Sequence, residues 1–359
     1  MAIELSSLRF NNGDDIVPWY SAEEVIRNTG ATNTLAGDDR ITGVGPGTRS
    51  SISDSAIYNS GTLEMAEGND MITGTYDAIE YSLHNANYVS PPNNGRSPYR
   101  DSEGNFYYYA PDPDGPIPLP VHSYGIYNLG TIHTGIGDDT IIGSNTTGGY
   151  AIGGNIDLLD SLIGSVSGLI GSVDRTYGAV GIANGGKINT GDGADSLISN
   201  GKLTNREMFL GKGNDSIIVA AGFLNRSIEN YIMIDTGDDN DTITSYGVIY
   251  NNGEINTGGG NDSIIAYGGF ESGLNNSGSV LLGEGEDYLY GFGSGDFDGG
   301  DGVDTMELTF GSYTVGRVGA VVSFTNGSSV MNTSGFEILI AGGTPYDFDS
   351  LINGDTISA

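Results

Sequence analysis

The sequence has no cysteine, so neither disulfides nor thiolate-bound metals hold this chain together. It has 13 lysines and arginines against 46 aspartates and glutamates, a net charge of −33. Nucleic-acid binders carry basic stripes and anionic membrane surfaces attract basic segments, so both partner classes are disfavoured. No apolar run reaches the length of a membrane-spanning helix. Met1-Ala2-Ile3-Glu4-Leu5 lacks the basic region and apolar core of a cleaved signal peptide. Catalytic signatures are also missing. There are three histidines, His84, His122 and His133, and no H-E-x-x-H zinc motif. Gly164-Ser165-Val166-Ser167-Gly168 fails as a nucleophile elbow, because serine is not central. Carboxylates are so abundant that a catalytic pair would not stand out. The expectation is a protein that is not an enzyme.

Glycine, by contrast, is plentiful at 60 of 359 residues, and it is placed with regularity. In Thr257-Gly258-Gly259-Gly260-Asn261-Asp262-Ser263-Ile264 glycines free the backbone, an aspartate follows, and an apolar run begins. The pattern G-x-G-x-D-x-U, with U a large apolar residue, has six intact copies. They are Gly135/Gly137/Asp139, Gly191/Gly193/Asp195, Gly211/Gly213/Asp215, Gly258/Gly260/Asp262, Gly283/Gly285/Asp287 and Gly300/Gly302/Asp304. Three more are worn. Leu35 replaces the first glycine before Asp39, Ala66 the first before Asp70, and Asp239 the second before Asp241. Gly13-Asp14-Asp15-Ile16 matches as a tenth loop only weakly.

The full unit is longer than this loop. Ile57-Tyr58-Asn59-Ser60-Gly61-Thr62-Leu63 precedes the Asp70 loop, and Ile126-Tyr127-Asn128-Leu129-Gly130-Thr131-Ile132 precedes that of Asp139. Equivalent stretches run from Ile182 and Ile249. The consensus I-Y-N-x-G-x-I-x-T-G-x-G-x-D-x-I reads as strand, N-x-G turn, strand, glycine–aspartate loop, strand. From Asp195 the loop aspartates step by 20, 26, 21, 25 and 17 residues. Steps of about 22 fit one coil of a solenoid per unit. The spacing predicts an all-β fold, a right-handed parallel β-helix or β-roll of about ten coils.

Residues 1–34 are expected to be an N-terminal cap with one short helix over 22–28, opened by the capping box Ser21-x-x-Glu24 and ended by Gly30. Residues 35–304 would be the solenoid. Within it, 75–121 holds eight of the eleven prolines and Tyr107-Tyr108-Tyr109, so it should leave the stack as an excursion with contact-forming tyrosines. In the gap between Asp139 and Asp195, Asp160-Ser161-Leu162-Ile163 repeats Asp195-Ser196-Leu197-Ile198 one coil length after Asp139. A decayed coil over 150–164 is favoured there, with an insertion over 165–178; the helical spacing of Leu158, Leu162, Ile163 and Val166 is the other reading. Residues 305–359, with the Asn326-Gly327 hairpin turn, read as an antiparallel β cap that closes the last sheet edge.

Stacked loops bring aspartates into a row of like charges, which needs counter-cations. Calcium suits carboxylate and carbonyl oxygens, and its 6–8 ligands exceed what one loop offers. Two stacked loops can share an ion. The motif resembles that of the repeats-in-toxin (RTX) family, whose G-G-x-G-x-D-x-U-x repeats bind calcium in a parallel β-roll. The resemblance covers roughly 35–72 and 133–308. It departs in having one such loop per coil, opposite the N-x-G turn, so one row of several calcium ions is inferred. It also departs in usually having threonine where the motif doubles its first glycine, at Thr134, Thr190, Thr236 and Thr257. The resemblance implies secretion from a bacterium by the type I route, directed by an uncleaved C-terminal signal, and folding on meeting calcium outside.

The functional expectation is a secreted calcium-binding structural protein of the cell surface or matrix, self-assembling into filaments or a layer. The alternatives are a polysaccharide-acting enzyme, or a glycan- or ice-binding module using the row Thr134, Thr190, Thr236 and Thr257 as a flat face. Expected partners are calcium ions, with copies of the chain and surface polysaccharide as further candidates.

Overall fold

The computed structural model describes residues 2–18, 25–45, 53–76, 99–100, 106–108, 117–118, 122–145, 180–220, 226–272 and 278–359. They form a parallel β-helix. Each coil supplies strands to two long sheets, one of nineteen strands and one of twelve. Thr140–Asn145, for example, pairs in parallel with Met71–Tyr76 before it and Ser196–Asn200 after it. In the larger sheet, His122–Asn128 and Thr131–Ile136 flank the N-x-G turn, and in later coils they fuse into one bent strand such as Val180–Asp192.

Alternation of two dictates the interior. Within each strand the branched apolar residue points in and its neighbours point out. Ile41, Ile72, Ile141, Leu197, Ile217, Ile243, Ile264, Leu289, Met306 and Leu339 thus stack coil upon coil at 0–1% exposure. Parallel columns from the other sheet, Ile57, Ile126, Ile182, Leu203 and Ile228 among them, meet this one. Their union is one continuous core running the length of the solenoid.

The N-x-G turn holds something the sequence reading assigned only to a turn. Asn28, Asn59, Asn128, Asn184, Asn205, Asn230 and Asn251 are buried at 0–4% exposure. Each Nδ2 from Asn28 to Asn230 donates to the Oδ1 of the next asparagine, at 2.8–3.0 Å. The second Nδ2 proton reaches a backbone carbonyl of the next coil, Met233 in the case of Asn205. A buried amide ladder of this kind is tolerable only because its members satisfy one another.

Two expectations need correction and one falls outside the described residues. No α-helix occurs among the described residues, and Val25–Asn28 is a strand, pairing in parallel with Ala2–Glu4 and Ser53–Asn59. Residues 22–24 lie outside the described set. The reason is local: Ile26-Arg27-Asn28-Thr29-Gly30 is itself a copy of the I-x-N-x-G turn, and a strand completes the amide ladder. Secondly, the coils of Asp139 and Asp195 are hydrogen-bonded directly to each other. The stretches read as a decayed coil, 150–164, and an insertion, 165–178, lie outside the described set. Thirdly, the terminal cap is not purely antiparallel. Ser312–Val318, Val321–Asn326 and Ser329–Ser334 form an antiparallel meander. However, Ser329–Ser334 and Ile338–Ala341 also pair in parallel with the last coil.

Ser53–Asn59 pairs directly with His122–Asn128, and most of the proline-rich stretch between them lies outside the described residues. Within it, Tyr99–Arg100, Phe106–Tyr108 and Ile117–Pro118 make a small antiparallel sheet.

The amide ladder predicts a cost that an exposed turn asparagine would not show. Asn205→Ala strands the carbonyl oxygens of Asn230 and Met233, and should lower unfolding free energy by about 1–3 kcal/mol. Urea unfolding of the calcium-loaded protein checks this. A change below about 0.5 kcal/mol, the range of ordinary surface substitutions, would contradict it.

Candidate metal centre

The glycine–aspartate loops stack in register along one edge. Their backbone is what the motif requires. The first glycines sit at φ between +89° and +116°, the second between +121° and +153°. The worn loops keep this geometry despite their side chains. Leu35, Ala66 and Asp239, at φ +72°, +64° and +78°, are the positive-φ non-glycine residues among those described. Such strain amounts to about 1–3 kcal/mol per residue, so the surrounding stack must impose it. Glycine is also needed for space. A Cβ on Gly211 would lie 1.7 Å from the carbonyl oxygen of Gly191, one coil before.

All nine predicted loop aspartates, Asp39, Asp70, Asp139, Asp195, Asp215, Asp241, Asp262, Asp287 and Asp304, are 0–2% exposed. The structure brings them into a single row. In each, Oδ1 accepts the backbone N–H of the aspartate one coil earlier, at 2.7–2.9 Å. The row begins with Asp15, so the weak tenth match is a true rung; its own carboxylate is closed off by the backbone and side-chain amides of Asn11. It ends at Glu337, whose Oε2 accepts the N–H of Asp304 at 2.8 Å. Nothing in the loop motif pointed to Glu337, which enters from the terminal cap.

A second ladder lies outside the first and runs the other way. Asp14, Asp38, Asn69, Asp138, Asn214, Asn240 and Asn261 each accept through Oδ1 the N–H of the equivalent residue one coil later, at 2.6–3.0 Å. Ala194 interrupts it, having no acceptor. Where both ladders run, they hold a loop from both sides.

The other oxygen of each inner aspartate tells a different story. Among the described residues, the Oδ2 atoms of all nine are buried and have no hydrogen-bond partner. Desolvation accordingly drives the carboxyls upward, with repulsion along the row adding to it; the threonine hydroxyl beside Asp39, Asp139, Asp195, Asp241 and Asp262 and the backbone N–H bonds offset part, although no hydroxyl meets an Oδ2 in hydrogen-bond geometry. Asp215 is pushed up to about 8, Asp70 to about 7, and Asp139, Asp241, Asp262, Asp287 and Asp304 to about 6. Asp39 and Asp195 shift the same way for the same first cause, burial.

Do these residues fit a metal? No cluster of three or more His, Cys, Asp or Glu side chains suited to a metal occurs among the described residues. An ion here must therefore combine carboxylates with backbone oxygens. The carbonyls of Gly137, Gly193, Gly213 and Gly260 accept no backbone hydrogen bond from any described residue. Unpartnered carboxylate oxygens and loop carbonyls without a backbone partner are oxygen donors of the kind a hard divalent cation takes. The loop aspartates and the carbonyls of the second glycines are the oxygens that such an ion would draw on. The first glycines, Gly135, Gly191, Gly211, Gly258, Gly283 and Gly300, let the coils approach, since each would otherwise drive a Cβ into the preceding carbonyl, and so do the second: a Cβ on Gly137, Gly193 or Gly213 would lie 1.8–1.9 Å from the carbonyl oxygen of the second glycine one coil before. Gly285 and Gly302 sit at strand ends with the same close approach.

Other sequence candidates resolve as follows. Thr134, Thr190, Thr236 and Thr257 are 0–1% exposed, and their hydroxyls donate to carbonyls of the next coil. They cannot form an external face, which overturns the ice- or glycan-binding role given to that row. His133 lies on the outer face, in register with Glu64 and Asn189, and its Nδ1 is 2.9 Å from Glu64 Oε2. It borders a shallow groove of about 570 Å³ with Glu67 and Asp192. His84 lies outside the described residues. No helix of the described residues is long and apolar enough to cross a membrane.

No protein-family model and no curated protein matches the chain. Among solved structures it is similar to a hyperactive, Ca2+-dependent, β-helical antifreeze protein from an Antarctic bacterium. The identity is 16%, over 83% of this chain and 71% of that one, with a TM-score of 0.36. So loose a likeness transfers nothing to this chain.

Two outcomes follow from the loop geometry. Gly211→Ala should destabilise severely, whereas Gly259→Ala, with nothing within 4 Å of the new Cβ, should be near neutral. Equal thermal midpoints for the two variants would refute the close-approach account. The second outcome concerns pH in the presence of chelator. A carboxyl whose folded pKa lies above its unfolded value, about 3.8, stabilises the fold fully below that value and loses this as pH rises through the folded pKa. With folded values of about 6 to 8, the melting temperature should fall between about pH 5 and pH 8.5. A flat or rising profile over that window would contradict it.

Proposed function

We propose that this chain is a calcium-stapled structural solenoid, and that the ions occupy one row along its glycine–aspartate edge. The single observation that carries this reading is the column of nine buried carboxylate oxygens without a partner. Buried charge without compensation is strongly unfavourable, and here it recurs at every coil. A divalent ion between successive loops would neutralise the row and bond coil to coil. The aspartates and second glycines are the residues that would hold it. What the ion supplies is structural: charge compensation and a link between coils.

In this reading the protein is RTX-like and works outside the cell. The loop motif supports that, and so does the switching logic. Extracellular modules bind calcium at about 10⁻⁴–10⁻³ M. At cytosolic calcium such sites stay empty and an acidic chain of this kind remains unfolded, suited to export; outside, binding free energy becomes folding free energy. A rigid acidic rod of this kind suits a surface layer or matrix, with copies of itself and surface polysaccharide as partners.

Asp262→Asn is a sharp test, because asparagine keeps the Oδ1 acceptor and removes the charge. In calcium the variant should melt lower than the wild type and bind fewer ions by isothermal titration calorimetry. In chelator the order should invert, the variant being at least as stable, because one uncompensated buried charge is gone. A wild type whose melting and circular dichroism are the same with calcium and with chelator would sink the proposal.

A further inference from the structure

The twelve-stranded sheet presents an outer face unlike the rest of the molecule. Its strands Met71–Tyr76, Thr140–Asn145, Ser196–Asn200, Ser216–Val219, Thr242–Ser245, Ser263–Ala266 and Tyr288–Tyr290 contain no charged residue. This is notable in a chain of net charge −33. The outer face of the larger sheet is not spared in this way: Arg27, Glu64, Lys187, Glu207, Glu229 and Glu254 all lie on it. The neutral strip is bounded by Arg40 on one side and Glu307 on the other.

Its composition is ordered. Alternation puts Ile72, Ile141, Leu197, Ile217, Ile243, Ile264 and Leu289 inside. One outward column is then mostly hydroxyl, Thr140, Ser196, Ser216, Thr242 and Ser263 in register. The adjacent column, Thr73, Ile142, Ile198, Ile218, Thr244, Ile265 and Tyr290, is mostly apolar; Ile198 is buried at 7% exposure and the others are half-buried. Tyr267 stands at the rim, stacked on Tyr246 at 5.4 Å and meeting Tyr290 at 5.8 Å. Parallel pairing without a register shift through these strands makes the surface regular.

We propose that this uncharged hydroxyl–isoleucine face is where a second copy of the chain docks, sheet against sheet. Two chains each carrying a net charge of −33 repel wherever their carboxylate rows approach. Among the described surfaces of the solenoid, this strip lets them meet without opposing like charges. A two-fold axis through it sets the same flat patch against itself, as an isologous interface requires. Sheets pack face to face about 10 Å apart, a distance that short serine, threonine and isoleucine side chains fill. Seven strands at about 4.8 Å span about 30 Å, and four to five residues add about 15 Å of width. The patch is therefore about 450 Å² per copy, about 900 Å² in all, below the range of standard stable interfaces. The dimer is accordingly weak and concentration-dependent, of the kind that builds layers when many copies are held together.

This deepens the self-association part of the reading above, but it rests on the chemistry of this face and not on the metal row. The test keeps the two apart. Sedimentation velocity of the calcium-loaded protein should show a monomer–dimer equilibrium that shifts with concentration. Ile218→Asp should shift it at least tenfold toward monomer, while Thr204→Asp, on the outer face of the other sheet, leaves it unchanged. Calcium-dependent melting, read on the same samples, reports the metal row and shows whether each variant is folded. The chain's lack of cysteine gives a second readout: a short bis-maleimide should cross-link Thr244→Cys into a dimer and leave Thr204→Cys monomeric. A wild type that stays monomeric to about 1 mM, or an Ile218→Asp protein that dimerises like the wild type, overturns the proposal. So does a monomer that binds ice or an insoluble neutral polysaccharide through this face.

Discussion

Everything in this molecule depends on a carboxylate that is only half satisfied. In each coil the loop aspartate turns inward and spends one oxygen on the backbone N–H of the coil before. That bond sets the register of the loops. The other oxygen is buried with nothing to bind, and the arrangement recurs from Asp39 to Asp304. The same side chain thus specifies the stack and burdens it. Burial and mutual repulsion make each of these carboxyls take up a proton more readily than usual, and a charged row of nine calls for compensation by protons or by cations. In the reading proposed above, a cation supplies that compensation, at the same loops whose geometry makes the solenoid regular.

The remaining interactions fit around that constraint. Glycines before the aspartate bring successive loops close enough that a Cβ would strike the carbonyl of its neighbour. The outer ladder of Asp and Asn side chains holds the loops from the solvent side, in the opposite direction. At the far corner the buried asparagines do for the turn what the aspartates do for the loop, with the difference that an amide carries both donor and acceptor and needs no ion. One corner of each coil is therefore self-sufficient and the other is not. Between them lies the isoleucine core, which supplies the cohesion but, being non-directional, could not fix the register by itself. The ends are sealed in kind: Asn11 closes Asp15 at the start, and Glu337 takes the place of an aspartate at the finish.

Much of this was legible in the residues. The G-x-G-x-D-x-U loops, their spacing and the I-Y-N-x-G turn were enough to foresee a parallel solenoid with one loop per coil and the aspartates in a single row. Even the worn loops read correctly, because Leu35, Ala66 and Asp239 adopt the glycine conformation that their neighbours impose. The failures have local causes. Ser21-x-x-Glu24 is a genuine helix-start pattern, yet Ile26-x-Asn28-x-Gly30 was also a turn repeat, and the tertiary pairing prevailed. Asp160-Ser161-Leu162-Ile163 lies outside the described residues, and the coils that flank it join directly. The threonine row looked like a surface because threonine usually is; here its hydroxyls reach the next coil's carbonyls and it can be buried. Glu337 had no repeat to mark it.

The central claim is that cations complete the aspartate row. Anomalous scattering from crystals grown in calcium, recorded at a long wavelength where calcium scatters strongly, addresses it most directly. The account predicts a single line of peaks, one between each pair of successive loops, each beside the aspartate oxygens that have no other partner. Density maps with no anomalous peak beside Asp139, Asp195, Asp215, Asp241 or Asp262, in crystals saturated with calcium, would contradict it.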